Sequence, residues 1–183
     1  MNQTRFDDQG LKNNDLPTVK PINSLYSDEE RQRRDASRWT LVQGVLAPFQ
    51  FIVFLISVVL VWRYLTTGSG ESAATVSVVV KTLVLYAIMI TGSIWERDVF
   101  GKYLFAPAFF WEDVVSMLVL ALHSAYLACV AFGWLSTHQQ MYLALTAYTV
   151  YVINAAQFLV KFRQAKRSNN SRRESIGAVG AMQ

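Results

Sequence analysis

Apolar residues along this chain gather into four long runs, at about 41–65, 75–95, 111–134 and 141–162, with polar stretches before, between and after them. Each run is long enough to cross the roughly 30 Å of hydrocarbon in a bilayer as a helix. The expected fold is therefore all-α, an integral membrane bundle of four transmembrane helices. Trp39, Trp62 and Tyr64 mark the ends of the first run, where amphipathic rings favour the headgroup level. Polar residues interrupt the runs at few places. The first contains Gln43, Pro48 and Gln50, and Gly68, Ser69 and Gly70 close it with a short loop. The second has Lys81 near its beginning and Glu96, Arg97 and Asp98 directly after its end. The third opens on Glu112 and Asp113 and holds His123 near its middle, and the fourth carries Asn154 and Gln157 before Lys161, Arg163, Lys166 and Arg167.

The flanks read differently. Residues 1–24 have few apolar anchors and contain Pro17 and Pro21, so ordering them would not be offset by burial, and they read as a disordered tail. Residues 25–40 read as a short interfacial helix: Ser27 and Glu30 stand at capping-box spacing ahead of the basic stretch 31–38. The bundle is expected over 41–163, and the Ser, Asn and Arg composition of 164–183 reads as a second disordered tail. No short basic segment ahead of an apolar one suggests a cleavable secretion signal, so the first span is expected to act as its own insertion signal.

Charge adds an orientation. The loops at 66–74 and 135–140 contain no Lys or Arg, whereas both flanks and the central loop, through Arg97 and Lys102, are basic. Positive residues stay on the cytoplasmic side, which predicts that both termini are cytoplasmic, in agreement with an even number of spans. The formal charge of +4 thus reflects membrane flanks and does not point to nucleic acid, for which no recognition module is visible. Cys129 is the single cysteine, excluding an intrachain disulfide framework and reading as a small buried hydrophobe.

Polar side chains inside a membrane are costly and by default face the bundle interior, where they pair or work. In the expected topology Gln43, Glu96, Asp98, Glu112, Asp113 and Gln157 fall at similar depth, with Gln50, His123 and Asn154 deeper. Glu112 and His123 are 11 residues apart, close to three turns and about 16 Å in height, so they share one face with Ser116 and Val119 between them. Simpler roles stand beside functional ones. A carboxylate at a helix start is favoured by the helix dipole alone. A membrane His can bond a neighbouring carbonyl, Gln and Asn can hold helices together, and 96–98 can be a solvated loop. Lys81 reads as snorkelling or paired near the far surface.

The connection from Phe100 to Trp111 is aromatic and apolar although it joins two spans. Beside carboxylates, such a segment suits a large flat hydrophobic ligand stacked on Phe109 and Trp111, with an interfacial aromatic belt as the plainer alternative. With only His123 and His138, one cysteine and no Gly-x-Gly-x-x-Gly, no metal site, nicotinamide or flavin is expected.

Four segments carry a resemblance: Arg33-Arg34-Asp35-Ala36-Ser37-Arg38-Trp39-Thr40-Leu41-Val42-Gln43-Gly44, Gly92-Ser93-Ile94-Trp95-Glu96, Tyr103-Leu104-Phe105-Ala106-Pro107-Ala108-Phe109-Phe110-Trp111-Glu112-Asp113, and Asn154-Ala155-Ala156-Gln157-Phe158. Over about 25–163 the chain resembles the 3-vinyl bacteriochlorophyllide (chlorophyllide a) hydratases of bacteriochlorophyll biosynthesis. The resemblance implies a hydro-lyase in a bacterial inner membrane, cytoplasmic or intracytoplasmic and photosynthetic. It would add water to the C3 vinyl group of a chlorophyllide-type pigment to give a 1-hydroxyethyl group. No cofactor is implied, and magnesium enters only as part of the pigment. Chemistry then suggests roles. A vinyl group on a conjugated ring accepts a proton at its terminal carbon, which calls for an acid that stays protonated near neutral pH. Apolar surroundings and a neighbouring carboxylate favour that state. Glu112 with Asp113, or with Glu96, fits, and a second carboxylate can take the proton of the incoming water. His123 is assigned either proton transfer or axial ligation of the pigment's magnesium. Gln43, Gln50, Asn154 and Gln157 are candidates to position water or substrate, and Arg97 or Lys102 to pair with the pigment's propionate. The expected partners are pigment, water and lipid, with a homo-oligomer or contact with neighbouring pathway enzymes left open. A pigment carrier without catalysis is the competing reading, since it needs the ligand site but not the paired carboxylates.

Overall fold

The computed structural model describes residues 25–180, with 168, 169 and 171–180 as backbone only. The readings of 1–24 and of the last three residues fall outside them. The described residues form five helices and no strand: α1 Asp28–Ala36, α2 Arg38–Thr67, α3 Glu71–Phe100, α4 Phe110–Phe132 and α5 Thr137–Gly180. Four of these are long and apolar enough to cross a membrane. The chain is thus an all-α multi-pass membrane protein.

Hydrophobicity all round a helix is what lipid on one side and a bundle on the other require. The buried stripe is correspondingly narrow. On α2 it is Gln50, Phe54, Ser57, Val61 and Tyr64, steps of three and four residues, while Leu41, Ile52, Val59 and Trp62 face outward. On α4 the stripe is Glu112, Ser116, Val119, His123 and Tyr126, so the expected shared face of Glu112 and His123 is present. Cys129 is buried and free.

The helices form two hairpins, α2 packed along α3 and α4 along α5, with thinner contact between the hairpins. The α2–α3 register is fixed by Gln43 Nε2 donating to Thr91 Oγ1 at 2.7 Å and by Ser57 meeting Ser77 at 2.7 Å. The α4–α5 register is fixed by Asn154 Nδ2 donating to Ser116 Oγ at 2.8 Å. Ser57 also meets the Tyr148 hydroxyl at 2.6 Å and Tyr86 meets Ser124 at 2.8 Å, joining one hairpin to the other.

Two boundaries differ from the sequence reading. Glu96, Arg97 and Asp98 belong to the last turns of α3, which ends at Gly101, where a φ of 77° suits glycine. The Ser- and Arg-rich stretch after 163 continues α5 to Gly180 instead of leaving the helix as a disordered tail. Extending a helix already nucleated in the bundle adds one hydrogen bond per residue fixed, so poor composition does not end it at the bundle's edge.

Helix α1 begins with the expected capping box: Ser27 Oγ accepts from the Glu30 amide at 3.2 Å and the Glu30 carboxylate from the Ser27 amide at 2.7 Å. It lies on the end of α3 through Arg33 Nη1, which donates to the Val99 carbonyl at 3.4 Å, and Ser37, which donates to Asp98 at 2.9 Å. Ahead of it Tyr26 stacks on Phe100 with centroids 5.7 Å apart, and burial pushes its hydroxyl up to about 12, so it stays a neutral phenol. Replacing Ser27 by Ala is expected to cost about 1 kcal/mol and to speed amide exchange across α1 while leaving that of α3 unchanged, as hydrogen–deuterium exchange would show.

Candidate carboxyl site between the hairpins

The third and fourth helices meet at one end of the bundle through side chains that lipid would not tolerate. Glu96 on α3 and Glu112 and Asp113 on α4 are all buried. The loop between the helices explains how. Phe105 adopts a positive φ of 59°, a rare conformation for a side-chain-bearing residue. Its amide is thereby aimed at Asp113 Oδ2, 2.7 Å away, and the next amide, of Ala106, at Glu96 Oε2, 3.2 Å away. Consecutive amides thus hold carboxyls from two helices. The two carboxyls are thereby held as neighbours, and one proton shared between them would remove the repulsion of two adjacent buried charges.

Glu112 has a different environment. Lys161 Nζ lies 2.7 Å from its Oε2, with the Glu112 side chain 10% and the Lys161 side chain 22% exposed, and the same ammonium sits 5.2 Å over the Phe109 ring. Both residues also act electrostatically on Asp113, so four ionisable groups form one cluster. A groove of about 590 Å³ opens beside it, lined by Glu112, Gln157 and Lys161 and by the apolar Ile153, Ala156 and Val160. This volume is in the range of small-molecule sites.

Aromatic rings close the end of the bundle. Phe109 is 1% exposed and contacts Trp95, Phe100 and Phe158 at centroid distances of 5.7, 5.8 and 6.0 Å. With Tyr26 they form a plug below the carboxyls.

The family model described as 2-vinyl bacteriochlorophyllide hydratase (BCHF) matches residues 26–164. This interval contains every residue of the cluster. The chain belongs to the 2-vinyl bacteriochlorophyllide hydratase family. Among the family's curated members, the 2-vinyl bacteriochlorophyllide hydratase of Rhodobacter capsulatus is 61% identical over 143 residues, 78% of this chain and 83% of the relative. The protein of the same name from Cereibacter sphaeroides is 60% identical over 147 residues, 80% of this chain and 91% of the relative. No solved structure matches.

Within this family member, the sequence-derived candidates divide by place. Glu96, Glu112, Asp113, Phe109 and Gln157 gather at the cluster, with Asn154 one turn above on Ser116. Trp111 is 69% exposed and turned away, because the two residues that follow it, Glu112 and Asp113, at about 100° and 200° of rotation, take the inward face. Gln43 is engaged with Thr91 on α3, and Gln50 lies deeper, buried. Arg97 rests over Tyr103 at 4.9 Å, and both Arg97 and Lys102 are exposed at the bundle end. His123 is ten residues from Asp113 on α4, a rise of about 15 Å, and stands apart from the cluster.

Two cations escaped the sequence reading. Lys161 reads as the start of a basic flank, yet it repeats the face of Asn154 and Gln157 at helical spacing. Lys81 does not snorkel to a surface: it is fully buried, 3.8 Å from the centroid of Tyr151, because its level on α3 faces the Tyr-bearing stripe of α5 and not lipid. Replacing Lys161 by Met leaves the Glu112 charge without its partner and is expected to cost about 1–3 kcal/mol. The double variant with Glu112→Gln should regain most of that loss in a thermal unfolding series in detergent.

Proposed function

We propose that this chain adds water to the vinyl group of a chlorophyllide-type pigment, with the Glu96–Asp113 pair as acid and Glu112 as the carboxylate that receives the proton of the incoming water. The observation that carries the reading is the division of one acidic cluster into two environments: a carboxyl pair held by consecutive loop amides, and a neighbour ion-paired with Lys161 at 2.7 Å. Such a division supplies acid and base from the same residue type. The names of the two relatives give the substrate class. The 2-vinyl of those names and the C3 vinyl of the sequence reading are one position in two numbering schemes for the macrocycle.

In this scheme the pigment enters the groove from the membrane side, where Ile153 and Val160 are half-exposed. The shared proton passes to the terminal vinyl carbon, leaving a cation at the carbon next to the ring. The Glu112 carboxylate would stabilise that charge. Water attacks the cationic carbon, its proton moves to Glu112, and return of a proton to the Glu96–Asp113 pair resets the site. A C–H bond and a C–O bond form, the C=C π bond is lost, and the oxidation level of the whole is unchanged. The scheme therefore uses no redox cofactor, and magnesium travels with the pigment. Gln157 borders the groove and is placed to hold the attacking water, with Asn154 behind it. Arg97 and Lys102, exposed at the bundle end, suit a propionate lying at the interface. Of the two roles considered for His123, proton exchange with the carboxyls is too distant. Magnesium ligation would require the macrocycle to displace the Tyr148 ring, 5.8 Å from that of His123. Neither enters the scheme.

The charge asymmetry of the loops supports an orientation with both termini cytoplasmic in a bacterial inner membrane, so that the carboxyl cluster lies toward the cytoplasm. A pigment carrier would have no use for the shared proton.

Incubating the purified chain with the vinyl pigment should give a product heavier by one water. Asp113→Asn and Glu96→Gln are each expected to lower kcat by about two to four orders of magnitude while pigment binding persists. Glu112→Gln should do the same at the water-addition step, and wild-type turnover in that variant would remove Glu112 from the mechanism.

A further inference from the structure

Above the carboxyl cluster, buried polar groups stand among the apolar core residues Phe54, Leu85, Val119 and Tyr148. Lys81 Nζ, His123 Nε2, Gln50 Oε1 and Asn154 Oδ1 are buried and have no hydrogen-bond partner in the protein. The four groups come one from each spanning helix. Their levels follow from the registers already described. Gln43 meets Thr91 and Ser57 meets Ser77, which puts Gln50 and Lys81 at neighbouring heights. Asn154 meets Ser116, and His123 packs on Tyr148, whose ring centroid is also 5.9 Å from Lys81 Nζ. Lys81 and His123 thus border one ring, with Gln50 at a height near Lys81 and Asn154 on the side of the carboxyl cluster.

Their chemistry selects a ligand. The Val119 carbonyl can only accept, so the 2.8 Å contact with His123 Nδ1 puts the ring proton there and leaves a lone pair on Nε2. Gln50 Oε1 and Asn154 Oδ1 are acceptors, whereas Lys81 Nζ brings N–H donors. A carboxylate would suit Lys81 and be repelled by three acceptors. Water both donates and accepts, and a buried water needs two to four polar partners.

The same column answers a need of the reaction. Below the cluster the aromatic plug closes the bundle end, with Phe109 and Ala106 at most 1% exposed. Beside it the groove carries the apolar Ile153, Ala156 and Val160 between the polar Glu112, Gln157, Lys161 and Gln164. We propose that Asn154, Gln50, Lys81 and His123 bind a file of internal water along the bundle axis, and that this file supplies the water consumed at the carboxyl cluster. The delivery half rests on the hydration reading, while the binding half does not.

Hydroxyl-radical footprinting of the full chain in lipid nanodiscs, in 18O water with synchrotron exposure and mass spectrometry, separates the two. Radicals made from bound water should place 18O on Tyr148 and Tyr151, the rings that border Lys81. Lys81→Met and His123→Phe should remove that label and slow hydration at least tenfold at unchanged KM for the pigment. Absence of 18O from both tyrosines in the wild type overturns the water file whatever the turnover. Loss of the label on adding the vinyl pigment overturns it too, since the pigment, through its magnesium or otherwise, would then be the occupant. Labelled tyrosines in a chain that forms no alcohol would sustain the file and defeat the hydration reading alone.

Discussion

Two successive amides decide how this protein is put together at its working end. Phe105 and Ala106 donate to carboxyls that belong to different hairpins, and in a bundle where contact between hairpins is otherwise thin this fixes α3 against α4. The cost is paid locally, in one residue held at positive φ. It is offset because an amide and a carboxyl desolvated together each gain the only kind of partner that a membrane interior leaves them. Remove that loop conformation and the two carboxyls have neither donors nor a reason to be adjacent.

From this constraint the rest follows in order. Adjacent carboxyls must share a proton or separate, and the loop does not let them separate. Glu112, the residue before Asp113 on α4, then points toward α5, where Lys161 meets it. A single turn of helix thus sends neighbouring acids into unlike surroundings, one facing α3 and the loop, the other facing α5 and the groove. The roles proposed for them are consequences of helical rotation, since successive residues on α4 cannot face the same neighbour.

Much of the fold was legible because lipid leaves few choices: four apolar runs became four helices, and the capping box at Ser27 and Glu30 started α1 as its spacing implied. The convergence of Glu96 with Glu112 and Asp113 could be foreseen from depth alone. What depth could not supply was azimuth. Trp111 sits beside two buried acids in sequence and faces away from them in space, and Lys81 faces inward although a lysine near a span's beginning ordinarily reaches for the surface. Both depend on which helix lies opposite, a matter of packing between hairpins that no pattern within one helix records. The aromatic loop was recognisable as unusual, but its function as a backbone donor arises from the φ of Phe105, and a phenylalanine gives no sign of adopting it.

The groove at Glu112 opens sideways, between side chains whose neighbours in the membrane are acyl chains. A flat pigment dissolved in the bilayer would therefore meet it by two-dimensional diffusion, already oriented by its own polar edge. The quantity governing saturation is then the number of pigment molecules per lipid, and diluting the aqueous suspension at fixed lipid-to-pigment ratio leaves occupancy unaltered.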